Sequence, residues 1–357
     1  MINRGNYFDV QKYLGYQEKW LQYHPNTIAR KWGHLRHLLE WADSDLFPSL
    51  SRSQKSFPQY LLEARNDRKD TSLSPASMQR ACLEARNFYT WAKVHLAQRY
   101  KLVQEDWVET IRPSRNRGIQ SELRERSYFS LEDIRKIVAF NPERLIDERD
   151  RAATSFLFLS GMRISAFVTL PVTCVDLENQ SVDQFPKEGV KTKNSKAART
   201  FLLPVKDLLL IIESWHKKVW RELGDQSLWY PALSTDGSEW GPSDDLGSSE
   251  SRRMSFSRGL RRLCKQSGVD YLSPHKIRNG HGVYGVKSVT SIEEFKAFSQ
   301  NMMHESMEIT DRLYGRLARN DVRKVISSLG GNQKAEPVDE ELFEQFLEFQ
   351  AWRNQRR

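Results

Sequence analysis

Residues 152–170 read AATSFLFLSGMRISAFVTL, and this stretch predicts the local architecture of the second half of the chain. Residues 152–159 are apolar and predict a helix, which ends at Gly161 because glycine commonly terminates helices. Arg163 stands at the start of the next apolar segment. A charged residue there is either an ordinary surface arginine at a helix start or a functional group.

Helical and strand patterns alternate around this stretch. Ser130, with Asp133 three residues later, forms a capping-box pattern that predicts the start of a helix. Further helices are predicted over residues 208–223, 254–266 and 291–302, and after Pro274. Residues 201–205 are apolar and follow a Lys/Asn/Ser turn, which predicts a short strand at the end of a hairpin.

The first hundred residues have a helical pattern. Residues 27–42 carry an apolar stripe, and a second helix is predicted to begin at Ser74-Pro75, a cap followed by proline at the first helical position. A small helical bundle with basic side chains is therefore expected, and Arg30 and Lys31 are candidates for DNA contacts.

Residues 112–126 contain five arginines, a proline and a glycine, and few apolar residues. This composition is typical of an interdomain linker, and a solvated run of charge is a compatible interpretation. A linker of this kind can lie along phosphates, so Arg112, Arg115 and Arg117 are further candidates for DNA contacts.

The overall charge points to an anionic partner. Lys and Arg number 55 against 46 Asp and Glu, which gives a net charge of +9 at pH 7. Nucleic acid is the first expectation and an acidic membrane surface the second. The three distant cysteines fit neither a disulfide framework nor a metal site, and no apolar run could form a signal peptide or a membrane span. A soluble, cytoplasmic, nucleoid-associated protein is expected.

Four motifs occur in a fixed order along the second half. They are SGMRISAFVTL at 160–170, VKTKNSKAARTFLLP at 190–204, SPHKIR at 273–278 and SQNMMHESMEITDRLYGRL at 299–317. Each motif alone is weak evidence for a function. Together they resemble the signatures of the tyrosine recombinase (phage integrase) family over roughly residues 127–330. The resemblance implies a mainly α fold. Its parts are a helical, SAM-like core-binding domain (1–112), a basic linker (113–127) and an α+β catalytic domain with a small antiparallel sheet (128–330). The apolar face of a C-terminal helix (331–357) is expected to be exchanged between protomers, with folding back on its own chain as the alternative.

The resemblance also implies the catalytic residues. Tyr314 is the nucleophile, and Arg163 and Arg278 hold the phosphate, because arginines offer planar, permanently charged forks. Lys191 is the general acid, with Lys193 and then Lys196 as alternatives. The remaining members are His275, as general base or phosphate ligand, and His304, as a donor to a phosphate oxygen.

Three features depart from the usual pattern of the family. Met302-Met303 stands where Leu-Gly commonly precedes the histidine, which predicts altered local packing. Tyr314 lies ten residues after His304 instead of nine. Ala166 replaces an acidic residue that often orients the first arginine.

The predicted function is site-specific DNA recombination through a 3′-phosphotyrosyl intermediate, without metal, ATP or another cofactor. The family implies a homo-tetramer that clamps specific sites on double-stranded DNA, passes through a Holliday junction and can use accessory directionality or DNA-bending proteins. An integrase or transposase of a mobile element is expected, with a chromosome or plasmid dimer resolvase as the alternative. A catalytically silent DNA-binding protein and a type IB topoisomerase-like enzyme are the alternatives from other classes.

Overall fold

A computed structural model describes residues 2–52, 56–62, 73–113, 127–241, 248–304 and 306–314. The chain divides into two compact units, Met1–Arg124 and Glu125–Arg357. The predicted linker arginines Arg115 and Arg117 and the predicted exchanged helix 331–357 lie outside the described residues.

The described part of the first unit is helical. Its α-helices are α1 (Arg4–Lys19), α2 (Pro25–Ala42), α3 (Phe57–Tyr60), α4 (Pro75–His95), α5 (Ala97–Tyr100) and α6 (Glu105–Thr110). The cap predicted at Ser74 is confirmed, because its hydroxyl accepts a hydrogen bond from the backbone N–H of Ser77. An aromatic core, centred on Phe88 with Tyr13 and Tyr100 against it, joins α1 and α4.

The second unit is built around one buried helix. Its elements are α7 (Leu131–Val138), α8 (Leu145–Ser160), α9 (Ile164–Phe167), β1 (Val175–Asp176), β2 (Ser181–Gln184), β3 (Ala198–Phe201), α10 (Lys206–Leu223), α11 (Ser249–Ser267), α12 (His275–Ser288), α13 (Ile292–Asn301) and α14 (Met307–Tyr314). Residues 152–160 of α8 are all buried, and α7, α10, α11 and α12 pack around this helix. The predicted mainly helical fold with a small antiparallel sheet is confirmed, as is the capping box of Ser130 and Asp133.

The sheet differs in one respect from its prediction. Its strands are antiparallel in the order β1-β2-β3, with Ser181 opposite Phe201. The strand predicted over residues 201–205 instead ends at Phe201, so that prediction was wrong in position. The chain leaves the ladder because the N–H of Leu203 donates to the carbonyl of Leu159 in α8, at 2.9 Å, and the side chain of Leu202 is buried in the core.

A buried ionic cluster fixes α8 against α11. Asp150 is fully buried and accepts hydrogen bonds from Arg149 (3.1 Å), Tyr230 (2.7 Å) and Arg262 (2.9 Å). Gly259 of α11 leaves room for this carboxylate, because a Cβ there would lie 1.9 Å from Oδ2 of Asp150. A buried carboxylate is tolerated only with such complete pairing.

Replacing Asp150 with alanine is expected to lower the free energy of unfolding of the second unit by about 3–5 kcal/mol, because it leaves the buried guanidinium of Arg149 without its counter-charge. Asp207→Ala is the matched control, since Asp207 pairs with Arg135 on the surface and its loss is expected to cost less than about 1 kcal/mol. Denaturant unfolding of both variants measures the difference, and equal losses would contradict the dominant role of the buried cluster.

Candidate active site

The first part of the site is a glycine turn at the end of α8. Gly161 caps α8 with φ +57°, and Arg163 is the N-terminal cap of α9 two residues later. A Cβ at position 161 would lie 2.4 Å from the ring of His281, so glycine is required by space as well as by backbone conformation. The turn thus presents Arg163, half-buried, at the surface of the packed core.

The side chain of Arg278 joins this turn to the last motif. Arg278 lies in α12 and is 5% exposed. Its Nη1 donates to the carbonyl of Gly161, and its Nη2 donates to the carbonyl of Met302 at 2.7 Å. The same Nη2 lies 3.2 Å from Nε2 of His304. Motifs separated by more than a hundred residues therefore meet at one guanidinium.

His304 lies beside this guanidinium on a helix-ending turn. Its Nδ1 lies 2.7 Å from Oγ1 of Thr310. Burial, followed by the charges of Arg278 and Arg163, lowers the pKa of His304 to about 4. The ring is therefore neutral at pH 7.

The turn that carries His304 contains Met303, which stands where the family commonly has glycine. After α13, the N–H of Met303 donates to Gln300 and the N–H of His304 donates to Ser299, the two hydrogen bonds of a Schellman motif. Met303 has φ +53°, in the left-handed region where the family's glycine fits without strain. The backbone turn is thus formed with a methionine in the glycine position, at a cost of about 1–2 kcal/mol.

His275 is the first residue of α12, and its side chain is exposed. Partial loss of hydration, then the charges of Arg278, Lys276 and Arg163, lowers the pKa of His275 below its ordinary value. An imidazole that stays neutral can accept a proton.

The predicted lysines lie on the connection between β2 and β3. The backbone N–H of Lys191 donates to Oγ1 of Thr169, at 2.9 Å, and its Nζ donates to Oγ of Ser249, also at 2.9 Å. Lys193 is exposed, two residues further along the same connection, and Lys196 is half-buried. The first of these contacts ties Lys191 to the segment that follows Arg163.

Asn301 connects the sheet to the His304 turn. Its Oδ1 accepts from the backbone N–H of Phe201 at 2.7 Å, and its Nδ2 donates to the carbonyl of Phe201 at 2.9 Å. Asn301 ends α13, three residues before His304. Sequence reasoning missed this residue, because a side-chain amide that pairs with a distant backbone leaves no local pattern.

The remaining predicted residues have varied surroundings. Tyr314 is the last residue of α14, and Ala166 is buried in the hydrophobic core. Arg30 is exposed. Lys31 instead pairs with Glu84 at 2.8 Å, with 16% of its side chain exposed, and Arg112 pairs with Glu109.

His281 is a second residue that sequence reasoning missed. It is fully buried, and its Nδ1 donates to the carbonyl of Phe158 at 2.7 Å. Its ring stacks on Phe298, and its Nε2 is buried without a hydrogen-bond partner among the described residues. Burial lowers the pKa of His281 to about 3, so this ring packs as a neutral group behind Gly161.

Metal sites and membrane-spanning helices are both absent from the described ranges. No group of three or more His, Cys, Asp or Glu side chains there could hold a metal ion. No helix in the same ranges is both long and apolar enough to cross a membrane.

Comparison with known proteins supports one family. A model of the phage integrase family matches residues 127–321, more than half of the chain. No curated protein sequence matches the chain significantly.

Solved structures share the fold at low sequence identity. The Tn1549 transposon integrase (residues 82–397), in complex with circular intermediate DNA, is 13% identical, with TM-score 0.56 over 90% of this chain and 99% of that one. Lambda integrase (residues 75–356), a dimer bound to a core site, is 13% identical, with TM-score 0.56 over 86% and 94%. The XerH recombinase, bound to a palindromic difH substrate, is 13% identical, with TM-score 0.56 over 89% and 83%.

The second unit is expected to lose stability as the pH falls below 6.5. His281 titrates near 6.5 when unfolded and near 3 when folded, so between these values the unfolded state binds more protons. This histidine alone lowers the free energy of unfolding by up to about 1.4 kcal/mol per pH unit in that window. His281→Gln is expected to reduce the slope, as measured by denaturant unfolding between pH 7 and 4. An unchanged slope would show that His281 does not titrate on unfolding as described.

Proposed function

The chain belongs to the phage integrase family of tyrosine recombinases, enzymes that cut and rejoin DNA strands, and we propose that Tyr314 is its nucleophile. The hydroxyl oxygen of Tyr314 attacks a DNA phosphorus, a 3′-phosphotyrosyl bond forms, and the 5′-oxygen of the next nucleotide leaves. The covalent bond conserves the energy of the phosphodiester, so a 5′-hydroxyl from a second strand can reverse the step.

One observation carries this proposal. The guanidinium of Arg278 contacts Gly161, two residues before Arg163, and Met302, two residues before His304. Two arginines and a histidine of separate motifs therefore lie around one position, which suits a phosphate with negative charge on its non-bridging oxygens. Tyr314 follows on the helix that begins three residues after His304.

The roles of base and acid are assigned to one histidine and one lysine. His275 has a lowered pKa and is neutral at pH 7. A neutral ring suits a group that accepts the tyrosine proton at its free nitrogen or donates its N–H to a phosphate oxygen. The departing 5′-oxygen needs a proton, which we assign to Lys191. The backbone contact of Lys191 to Thr169 supports this choice over Lys193, since it ties the lysine to the segment of Arg163.

The proposed substrate is double-stranded DNA carrying specific recombination sites. The XerH, Tn1549 and lambda proteins were solved with DNA, and the net charge of +9 suits a polyanion. The first unit is proposed as the core-binding domain, with exposed Arg30 as a better candidate for a phosphate contact than paired Lys31.

The proposed role is integration or transposition of a mobile element by a homo-tetramer on two DNA sites. The alternative role is resolution of chromosome or plasmid dimers by the same cleavage chemistry. Recombination of a plasmid that carries the ends of a candidate element, compared with one that carries two copies of a chromosomal dimer site, distinguishes the two roles.

Tyr314→Phe is expected to abolish formation of a covalent protein–DNA adduct on a suicide substrate nicked next to the cleavage point, because phenylalanine lacks the nucleophilic oxygen. Tyr284→Phe is the matched control, since Tyr284 packs its ring against Phe158 in the core, and it is expected to keep the adduct. Denaturing electrophoresis of labelled DNA measures both variants.

An adduct that survives Tyr314→Phe would contradict the assignment of the nucleophile. Wild-type protein that relaxes supercoiled DNA without recombining paired sites would instead indicate a topoisomerase-like activity, and DNA binding without any adduct would indicate a catalytically silent protein.

Lys191→Ala is expected to slow cleavage of ordinary DNA by about a hundredfold or more, because general-acid assistance is lost. A substrate with sulfur as the bridging 5′-atom should restore the rate, since a thiolate leaves without protonation. Lys193→Ala is the matched control, and both variants are assayed by single-turnover cleavage. If the sulfur substrate restores the cleavage rate of Lys193→Ala but not that of Lys191→Ala, Lys193 is the general acid instead.

A further inference from the structure

A chain of hydrogen bonds links His304 to the helix that ends at Tyr314. Nδ1 of His304 lies 2.7 Å from Oγ1 of Thr310, and Oγ1 of Thr310 donates to Oγ of Ser299 at 2.8 Å. Oγ of Ser299 in turn donates to the carbonyl of Ser306 at 3.4 Å. Thr310 is fully buried and Ser299 is 2% exposed, so water does not compete at these hydroxyls.

The last acceptor fixes the direction of the chain. A backbone carbonyl only accepts, so the single proton of the Ser299 hydroxyl is directed to Ser306. The Ser299 oxygen then accepts from Thr310, which uses the only proton that the Thr310 hydroxyl has. Thr310 can therefore only accept from His304, and the proton of the neutral imidazole lies on Nδ1.

The opposite nitrogen of the ring gives the same result. Nε2 of His304 lies 3.2 Å from Nη2 of Arg278, and a guanidinium only donates. Nε2 must then carry a lone pair, as it does when the proton of a neutral ring is on Nδ1. The depressed pKa of His304 agrees with a neutral ring.

The arrangement of Thr310 differs from that of other helical hydroxyls in the unit. Thr154 and Ser155 in α8 donate to carbonyls four residues back in their own helix, the ordinary use of such hydroxyls. Oγ1 of Thr310 instead bonds outside α14, to Ser299 of α13 and to His304 on the connecting turn.

We propose that Thr310 and Ser299 are positioning residues that hold His304 in its Nδ1-protonated tautomer and direct Nε2 towards Arg278. The proposal rests on the proposed function in that Arg278 is taken to bind the phosphate, while Nε2 of His304 accepts from this guanidinium and orients it. The neutral ring in this tautomer has no N–H left for a phosphate oxygen, so this role replaces the donor role that the family resemblance implies for His304. Thr310 and Tyr314 are four residues apart in α14, one helical turn, so the same helix sets the tautomer of the histidine and carries the nucleophile.

The tautomer is tested directly by NMR on the full chain labelled with ¹⁵N-histidine at pH 7. Long-range ¹H–¹⁵N correlation distinguishes protonated from unprotonated ring nitrogens, and His304→Gln identifies the signals of His304 among those of the eight histidines. The expected result is a protonated Nδ1 and an unprotonated Nε2. A protonated Nε2 would overturn the proposal.

The positioning role is tested with three variants. Thr310→Val keeps the shape of the side chain without its hydroxyl, and it is expected to abolish the predominance of the Nδ1-protonated form and to slow adduct formation roughly tenfold at unchanged DNA affinity. Thr310→Ser should restore both properties. Thr154→Val is the matched control, because it removes a buried hydroxyl that does not contact the site.

A Thr310→Val protein with the wild-type tautomer and rate would overturn the proposal. If that variant does not fold, Ser299→Ala serves instead: removing the acceptor of the Thr310 proton should raise the share of the Nε2-protonated form, and no change would contradict the chain. The NMR measurement involves no DNA. If wild-type protein shows the expected tautomer by NMR but forms no covalent adduct with DNA, only the proposed function is refuted. If it forms the adduct but Nε2 of His304 carries the proton, only this inference is refuted.

Discussion

The C-terminal ends of two helices converge on one buried guanidinium. Gly161 caps α8 and Met302 caps α13, and Arg278 donates to the carbonyl of each. The last carbonyls of a helix lack partners within the helix and carry partial negative charge. A buried cation is tolerable only where such acceptors surround it. The same contacts therefore satisfy two helix ends, stabilise one buried guanidinium and fix the spacing of Arg163 from His304.

The site concentrates positive charge, and this charge affects the pKa of its two histidines. Loss of hydration lowers the pKa of both His275 and His304, and the charges of Arg278 and Arg163 lower it further. Both rings are consequently neutral while they share a region with two permanent cations. A bound phosphate would offset that repulsion, so the site is electrostatically incomplete by itself and complementary to an anion.

Local features of the fold were predictable from sequence, and long-range ones were not. The capping box of Ser130 and the cap at Ser74 depend on residues three apart, so their patterns were readable directly. The end of β3 was misplaced because it depends on a contact of Leu203 with Leu159, which no local pattern encodes. In the site, motif order identified the arginines, lysines, histidines and tyrosine as candidates. Thr310 and His281 were not among them, since their importance arises only from packing.

The pairing of Asn301 with Phe201 has a consequence for the small sheet itself. β3 is an edge strand, and the exposed edge of a sheet offers unpaired N–H and C=O groups to any passing strand. The carboxamide of Asn301 occupies both backbone groups of Phe201, as a peptide group of a fourth strand would. The side chain of Asn301 thus covers the sheet edge at Phe201, whose own side chain is exposed. Without this pairing, the edge strands of two copies could associate there.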